Sequence, residues 1–165
     1  VTLASNSGDH NVEGHIEMIT TASNSGDQSL TLTGTQFVTT TTSSGDQSLS
    51  FDQVQSLTTT SRSGDLSISG DLSVAAVTTS SGDIRLSQRA ASPKMTLTSR
   101  SGDISIEFEK NPNVQVLFTS RSGELATRGL KSEKNSIKSD NQFGLGTGEG
   151  RITMTTSSGD AVIRQ

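Results

Sequence analysis

Apolar side chains recur at every second position on both sides of a repeated Ser-Gly-Asp tripeptide. The residues seven positions before each glycine are Val1, Ile19, Val38, Leu57, Ala75, Met95, Val116 and Ile152. The residues four positions after it are Val12, Leu30, Leu49, Ile68, Leu86, Ile106, Thr127 and Ile163. Side chains that alternate with a period of two share one face of a strand. Each repeat is therefore predicted to contain a strand, a tight corner at the tripeptide and a second strand.

The tripeptide, or a near copy of it, returns at nearly constant intervals. Its glycines are Gly8, Gly26, Gly45, Gly64, Gly82, Gly102, Gly123 and Gly159. The intervals are 18, 19, 19, 18, 20 and 21 residues, followed by one of 36. A unit this short cannot bury its own apolar face, so successive units must stack, with equivalent residues about 4.8 Å apart. The sequence predicts an all-β fold, a single-stranded parallel β-helix (a β-solenoid) with about 18–21 residues per coil.

We expect one β-solenoid domain over residues 1–165, with regular coils in 1–128. Residues 129–150 break the pattern and become dense in glycine, so we expect a degenerate coil and a glycine-rich turn there. Such an irregular segment would cap the C-terminal end of the solenoid against edge pairing. Residues 151–165 would supply a closing strand and the last repeat. Because the chain starts at Val1, we also expect it to be a fragment of a longer protein.

Composition narrows the function classes. Only 28% of the residues are hydrophobic and 3% are aromatic, but a disordered chain would have no reason to keep its apolar residues in register with a repeat. A net charge of −4 with scattered charges argues against a nucleic-acid partner. No apolar run is long enough for membrane insertion. The absence of cysteine excludes disulfides and thiolate metal sites, and no cofactor is expected.

An acidic residue follows every corner glycine, and we call this set the acidic column. Its members are Asp9, Asp27, Asp46, Asp65, Asp83, Asp103, Glu124 and Asp160. Stacked like charges repel, so something must offset their repulsion. In a structural explanation each carboxylate bonds its own backbone at the turn. In a functional one the column attracts cations, basic peptides or Ca²⁺, although the spacing does not match Ca²⁺-binding nonapeptide repeats. The candidate ligand-binding residues are Asp27, Asp46, Asp65, Asp83, Asp103 and Glu124.

Five other ionisable residues are candidates for lesser roles. Arg62, Arg100 and Arg121 lie two positions before their glycines and are expected to pair with the acidic column, each exposed pair contributing about 0–1 kcal/mol. His10 and His15 are the only histidines, and we expect both to be exposed rather than metal ligands.

Outward threonines offer an alternative function. They form pairs at the positions six and four before the glycine: Thr39 with Thr41, Thr58 with Thr60, Thr96 with Thr98, and Thr153 with Thr155. Such ladders resemble the ice-binding surface of some antifreeze proteins, although threonine also suits any solvated strand.

A carbohydrate-active β-helix enzyme is a further alternative. The acidic residues are uniform and placed by a turn, whereas an active site needs unlike repeats around a cleft, so no catalytic residue is predicted.

The phrases TTTSRSGDLSI, LTSRSGDISI and GEGRITMTTSSGDAVI resemble a bacterial domain family of unknown function that is classed as adhesin-like. The family includes LiaX-like envelope proteins of Gram-positive bacteria. The resemblance implies a β-solenoid without established catalytic residues, located at the cell surface. For LiaX-like members it also implies a link to cationic antimicrobial peptides and the envelope stress response.

These observations predict a non-enzymatic binding or scaffold module of the cell envelope. Its partner would be a cationic peptide or another cell-surface ligand that contacts the acidic column. The main alternative is a structural spacer or assembly domain that self-associates through its solenoid ends. The sequence leaves a cytoplasmic location, the ligand and the handedness of the solenoid open.

Overall fold

The computed structural model describes residues 1–130, 134–139 and 142–165, and within them the chain forms strands and no helix. The strands are β1 (Thr2–Ser7), β2 (His10–His15), β3 (Met18–Ser25), β4 (Gln28–Thr33), β5 (Thr35–Ser44), β6 (Gln47–Ser63), β7 (Leu66–Ser81), β8 (Ile84–Gln88), β9 (Lys94–Ser101), β10 (Ile104–Phe108), β11 (Val114–Ser122), β12 (Leu125–Arg128), β13 (Lys134–Ser139), β14 (Gln142–Leu145), β15 (Gly150–Ser158) and β16 (Ala161–Arg164). The all-β prediction is confirmed.

The strands stack in parallel on two faces that meet at the Ser-Gly-Asp corner. The first face, before the corner, runs β1-β3-β5-β6-β7-β9-β15-β11. The second face, after the corner, runs β2-β4-β6-β7-β8-β10-β16-β12. β6 and β7 are long because each passes from the second face of one coil to the first face of the next. Equivalent residues are direct neighbours, as in Val12, Leu30 and Leu49. The predicted β-solenoid is confirmed.

Most of the buried side chains are apolar, and two coils also bury a threonine–glutamine pair. Thr40 and Gln47 are both buried, and the Thr40 Oγ1 lies 2.5 Å from the Gln47 Oε1 across the corner. Thr21 and Gln28 repeat this pair one coil earlier, at 2.6 Å. The buried amide groups also donate to backbone carbonyls, which satisfies their hydrogen bonds away from water.

The last coil does not follow the chain order. β15 lies between β9 and β11, and β16 lies between β10 and β12. The closing repeat therefore inserts between two coils that are consecutive in sequence. Our expectation that successive turns stack in chain order holds for the first six levels and is wrong for the last two.

The 36-residue interval before the last glycine contains an antiparallel cap instead of a further coil. β14 pairs antiparallel with β11, and β13 pairs antiparallel with β14, so the two strands extend the first face beyond β11 and occupy its edge at that end of the solenoid. In 129–150, where a degenerate coil and a glycine-rich turn were expected, the described residues form this antiparallel pair, and residues 131–133 and 140–141 lie outside the described part. The described residues contain no helix that is long and apolar enough to cross a membrane.

Candidate functional site: the acidic column

The Ser-Gly-Asp corner interrupts the ladder of backbone hydrogen bonds between coils. Two amides at each corner point toward the following coil. The amide of Gly26 donates to the carbonyl of Ser44 at 3.1 Å, and the amide of Gln28 donates to the carbonyl of Asp46 at 2.9 Å. The aspartate amide between them points toward the preceding coil and needs a different acceptor.

The acceptor is the carboxylate of the preceding acidic residue. From Asp27 onward, the backbone N–H of each column member donates to Oδ1 of the column member in the preceding coil of the stack, at 2.8–3.0 Å. The bonds run from Asp27 to Asp9, Asp46 to Asp27, Asp65 to Asp46, Asp83 to Asp65, Asp103 to Asp83, Asp160 to Asp103, and Glu124 to Asp160. The predicted bond from each aspartate to its own turn is corrected, because the bond joins neighbouring coils.

This ladder explains why an acidic residue recurs at every corner. The carboxylate provides the acceptor that the next coil requires, and the amide dipole offsets part of the repulsion between stacked charges. Glycine is required beside it because the backbones approach closely. A Cβ on Gly45 would overlap the carbonyl of Gly26, and its φ of +128° disfavours any side chain.

The single glutamate of the column occupies its last level. Spatially the column ends Asp103, Asp160, Glu124, since the closing coil is inserted. Among the described residues, no amide donates to the Glu124 carboxylate. The short aspartate side chain is needed to place a carboxylate oxygen at the amide of the next coil. No coil follows Glu124, so the longer glutamate is tolerated there.

One arginine neutralises the middle of the column. The Arg85 guanidinium lies 3.1 Å from Oδ2 of Asp65 and 2.8 Å from Oδ2 of Asp83. The Asp83 backbone amide, followed by Arg85, lowers the pKa of Asp65, although partial burial opposes the shift. The ionised form of Asp65 is therefore favoured, and the outer oxygens of both aspartates are occupied by Arg85.

The three arginines expected in this role do not fill it. Within the described residues, Arg62, Arg100 and Arg121 form no ion pair. The other ion pairs among the described residues are Arg89 with Asp52 at 3.5 Å and Arg164 with Glu107 at 3.0 Å, and neither includes a member of the acidic column.

The histidine prediction also needs a correction. His15 is exposed, but His10 is half-buried, and its Nδ1 has no hydrogen-bond partner within the described chain. In the buried pairs above, a threonine occupies the position opposite. The first coil has Leu3 there, which cannot donate to the ring. No group of three or more potential metal ligands was found in the part of the chain that the structure describes.

Charge is distributed unevenly along the solenoid axis, which the sequence analysis missed. Residues 1–61 contain six acidic residues and no lysine or arginine, whereas 62–165 contain 11 acidic and 13 basic residues. The two parts carry formal charges of −6 and +2. The signal was visible in the sequence as the absence of any cationic residue before Arg62, but only the stacking shows that it makes one end of the rod anionic.

The anionic end leaves three column members without a cation. At the outward position where Arg85 sits in its coil, the second and third coils have Ser29 and Ser48. Within the described residues, the outer carboxylate oxygens of Asp9, Asp27 and Asp46 have no hydrogen-bond or ion-pair partner. We call these three residues the open acidic segment.

Several shallow grooves lie along the faces. One of about 220 Å³ lies beside Asp83 and Asp103 and is rimmed by Arg85 and Arg164. Another of about 720 Å³ lies on the first face near Lys94, away from the acidic column. Both arginines at the smaller groove compensate nearby carboxylates, whereas the open acidic segment has no such cation, so uncompensated negative charge concentrates at the open acidic segment.

The fold and the corner ladder define a repeat protein of the β-solenoid class. The Toastrack DUF4097 family model matches residues 1–164, and the chain belongs to that family. No curated protein and no solved structure matches the chain significantly. The family is a domain of unknown function, which confirms the sequence resemblance at that level. The adhesin-like and LiaX-like identities stay predictions.

Proposed function

We propose that the domain is a non-enzymatic binding and scaffold module that engages a cationic partner at its anionic end. One observation carries the proposal: the open acidic segment is a row of fixed carboxylates in a region without lysine or arginine. Each inner oxygen is occupied by a backbone amide, so the side chains are held in place. Each outer oxygen is available to a ligand. A preorganised row of like charges attracts a cationic chain at low entropic cost.

The candidate site residues differ in how well they suit this role. Asp27 and Asp46 are the strongest candidates. Asp65 and Asp83 already hold Arg85, so a ligand would have to displace an existing ion pair. Asp103 and Glu124 lie in the part of the chain that carries a positive formal charge, where a cationic partner is less favoured.

The test compares two double variants that remove equal charge. Asparagine keeps the Oδ1 acceptor, so Asp27→Asn with Asp46→Asn preserves the ladder while it removes two charges. Asp65→Asn with Asp83→Asn is the matched control. With a fluorescent oligolysine peptide as probe, we expect the first pair to weaken binding about tenfold at low salt and the control pair less than threefold. Equal losses would show a non-local charge effect, and absence of salt-sensitive binding to the unmodified domain would exclude the mechanism.

The location at the surface of a Gram-positive cell and the link to cationic antimicrobial peptides rest on the sequence resemblance. They fit an anionic module, since such peptides are cationic. Fractionation of cells that produce the full-length protein, with detection in the envelope or in the cytoplasm, tests the location directly.

A structural spacer or assembly role is the second candidate. β1 and β2 each pair on one side only within the described residues, which leaves two strand edges at the anionic end. Such edges are templates for further pairing. Sedimentation at high protein concentration tests this role, and a monomer throughout would exclude self-association through this end.

A further inference from the structure

The closing coil, which we define as residues 150–164, fills a slot between two coils that are consecutive in sequence. On the first face, Met154 lies between Leu97 and Phe118. On the second face, Ile163 lies between Ile106 and Thr127. Both sides of the slot are parallel strands in the same repeat register. The contacts therefore depend on the repeat pattern and not on the connection that delivers the coil.

Asn113 holds the chain where it enters the slot. Its Oδ1 accepts from the Gly148 amide at 2.6 Å and the Thr147 hydroxyl at 2.9 Å. Its backbone carbonyl accepts from the Gly150 amide at 2.9 Å, and its own amide donates to Ala91 at 2.7 Å. Asn113 is thus a positioning residue that ties the entering turn to the neighbouring coil.

A slot of this kind accepts an equivalent coil from a second molecule. The two flanking coils remain linked to each other through 109–113 when the closing coil leaves. The closing coil is joined to β12 by 129–149, which contains β13 and β14. Because β14 also pairs with β11, β13 and β14 have to move together with the closing coil and re-form the same pairing on β11 of the second copy. Each copy offers both a slot and a matching coil, so a reciprocal exchange closes with two-fold symmetry and leaves no unfilled edge.

We propose that the closing coil is exchangeable, and that two copies of this chain form a dimer by inserting their closing coils into each other's slot. The filled slot makes the same contacts in the monomer and in the dimer, so protein concentration and the connecting segment set the balance between them. This association uses an internal slot and not the free strand edges of β1 and β2. The closing coil carries Asp160, so its insertion restores the column bonds to Asp103 and Glu124 in the monomer and in the dimer alike.

Cross-linking between two single-cysteine variants of the full chain tests the exchange. Thr98 and Thr155 are direct neighbours across the slot wall, and the protein has no native cysteine. Chains with Thr98→Cys and chains with Thr155→Cys are mixed at high concentration, warmed below the unfolding midpoint and oxidised. We expect a dimer fraction in which peptide mapping finds a disulfide between positions 98 and 155 of different chains.

The double variant Thr98→Cys with Thr155→Cys is the geometric control and should cross-link within one chain. If it does so while the mixed chains give no 98–155 bond, the proposal is wrong. A dimer without that bond would also overturn it, since the copies would then associate through another surface.

Asn113 provides a second readout. Asn113→Ala removes the side-chain acceptor in monomer and dimer alike, so it should speed the appearance of the cross-link about tenfold without changing its final amount. Thr147→Val removes one donor and should speed it by a smaller factor. An unchanged rate in both variants would contradict the role assigned to the entry turn.

Discussion

The backbone amide of Glu124 donates to Oδ1 of Asp160 at 2.9 Å, although the two residues are 36 positions apart in the chain. The bond exists because the closing coil, which carries Asp160, lies between the coil of Asp103 and the coil of Glu124. In chain order, the amide would instead have faced Asp103, whose carboxylate accepts from Asp160. The corner ladder thus follows the spatial order of the coils. It ends at Glu124, beyond which no further coil stacks on the column.

The first prediction separates the ladder from the charge. Asp103→Ala removes the acceptor of the Asp160 amide and should lower the free energy of unfolding by about 1–2 kcal/mol. Asp103→Asn keeps an oxygen acceptor and removes a repelling charge, so its cost should be clearly smaller. Urea denaturation of both variants measures the difference.

Glu124→Ala is the control for that experiment. Because no amide among the described residues donates to this carboxylate, its loss should change stability by less than about 0.5 kcal/mol. A cost equal to that of Asp103→Ala would show that the carboxylates stabilise the fold by some means other than the ladder.

The second prediction uses two corner glycines with similar backbone conformations. Gly8 and Gly64 have φ of +119° and +127°. A Cβ on Gly64 would overlap the Gly45 carbonyl, whereas one on Gly8 meets no atom within 4 Å. Gly8→Ala should therefore cost only the backbone strain, about 1–3 kcal/mol.

Gly64→Ala should cost substantially more than Gly8→Ala or prevent folding. Thermal unfolding followed by circular dichroism compares the two variants. Similar melting temperatures would mean that close stacking of the corners does not constrain these glycines beyond their φ values.

Most of the fold could be predicted from the sequence because each coil repeats the same inward columns. The positions of Leu57 and Ile68 relative to Gly64 are enough to assign a strand to each face. The same regularity hides the order of the coils. Met154 occupies the place beside Leu97, and Phe118, the next residue of that column in chain order, would fit the same place equally well. No local pattern therefore identifies the coil that is inserted.

The acidic column was visible in the sequence, but its chemistry was not. The spacing of Asp27 and Asp46 predicts that they stack, whereas the destination of each carboxylate depends on the direction in which the next amide points. The role of Arg85 was missed for a related reason. It follows its glycine by three residues, and only the corner geometry brings its guanidinium to two aspartates at once.

The third prediction concerns the buried polar pair of Thr40 and Gln47. Thr40→Val alone leaves the glutamine oxygen without its donor and should cost about 1–3 kcal/mol. The double variant with Gln47→Leu removes both members of the pair, while the buried Thr59 hydroxyl loses its hydrogen bond to Thr40 equally in the single and in the double Thr40 variant. Two coils later the equivalent positions are occupied by Val77 and Ile84, so an apolar pair fits the same site.

The double variant should therefore be more stable than the sum of the two single losses implies, with a coupling of about 1 kcal/mol. Denaturation of all four proteins in the cycle measures this coupling. Additive losses would show that the hydrogen bond between the two side chains does not contribute.

The fourth prediction follows from the lowered pKa of Asp65. A carboxyl whose pKa is lower in the folded than in the unfolded state contributes stability above its ordinary pKa and loses it as the pH falls through the folded value. The unmodified protein should thus lose stability more steeply below about pH 4 than Asp65→Asn does. A carboxyl titration by NMR should place the pKa of Asp65 below the ordinary value of 3.8.

Arg85→Gln distinguishes the two causes of that shift. The Asp83 amide is the larger influence on the pKa of Asp65, and Arg85 is the smaller one. Removal of the guanidinium should therefore raise the pKa only part of the way toward 3.8, because the amide of the next coil still donates to the carboxylate. A complete return to the ordinary value would assign the shift to the arginine and would remove the electrostatic argument for the corner ladder.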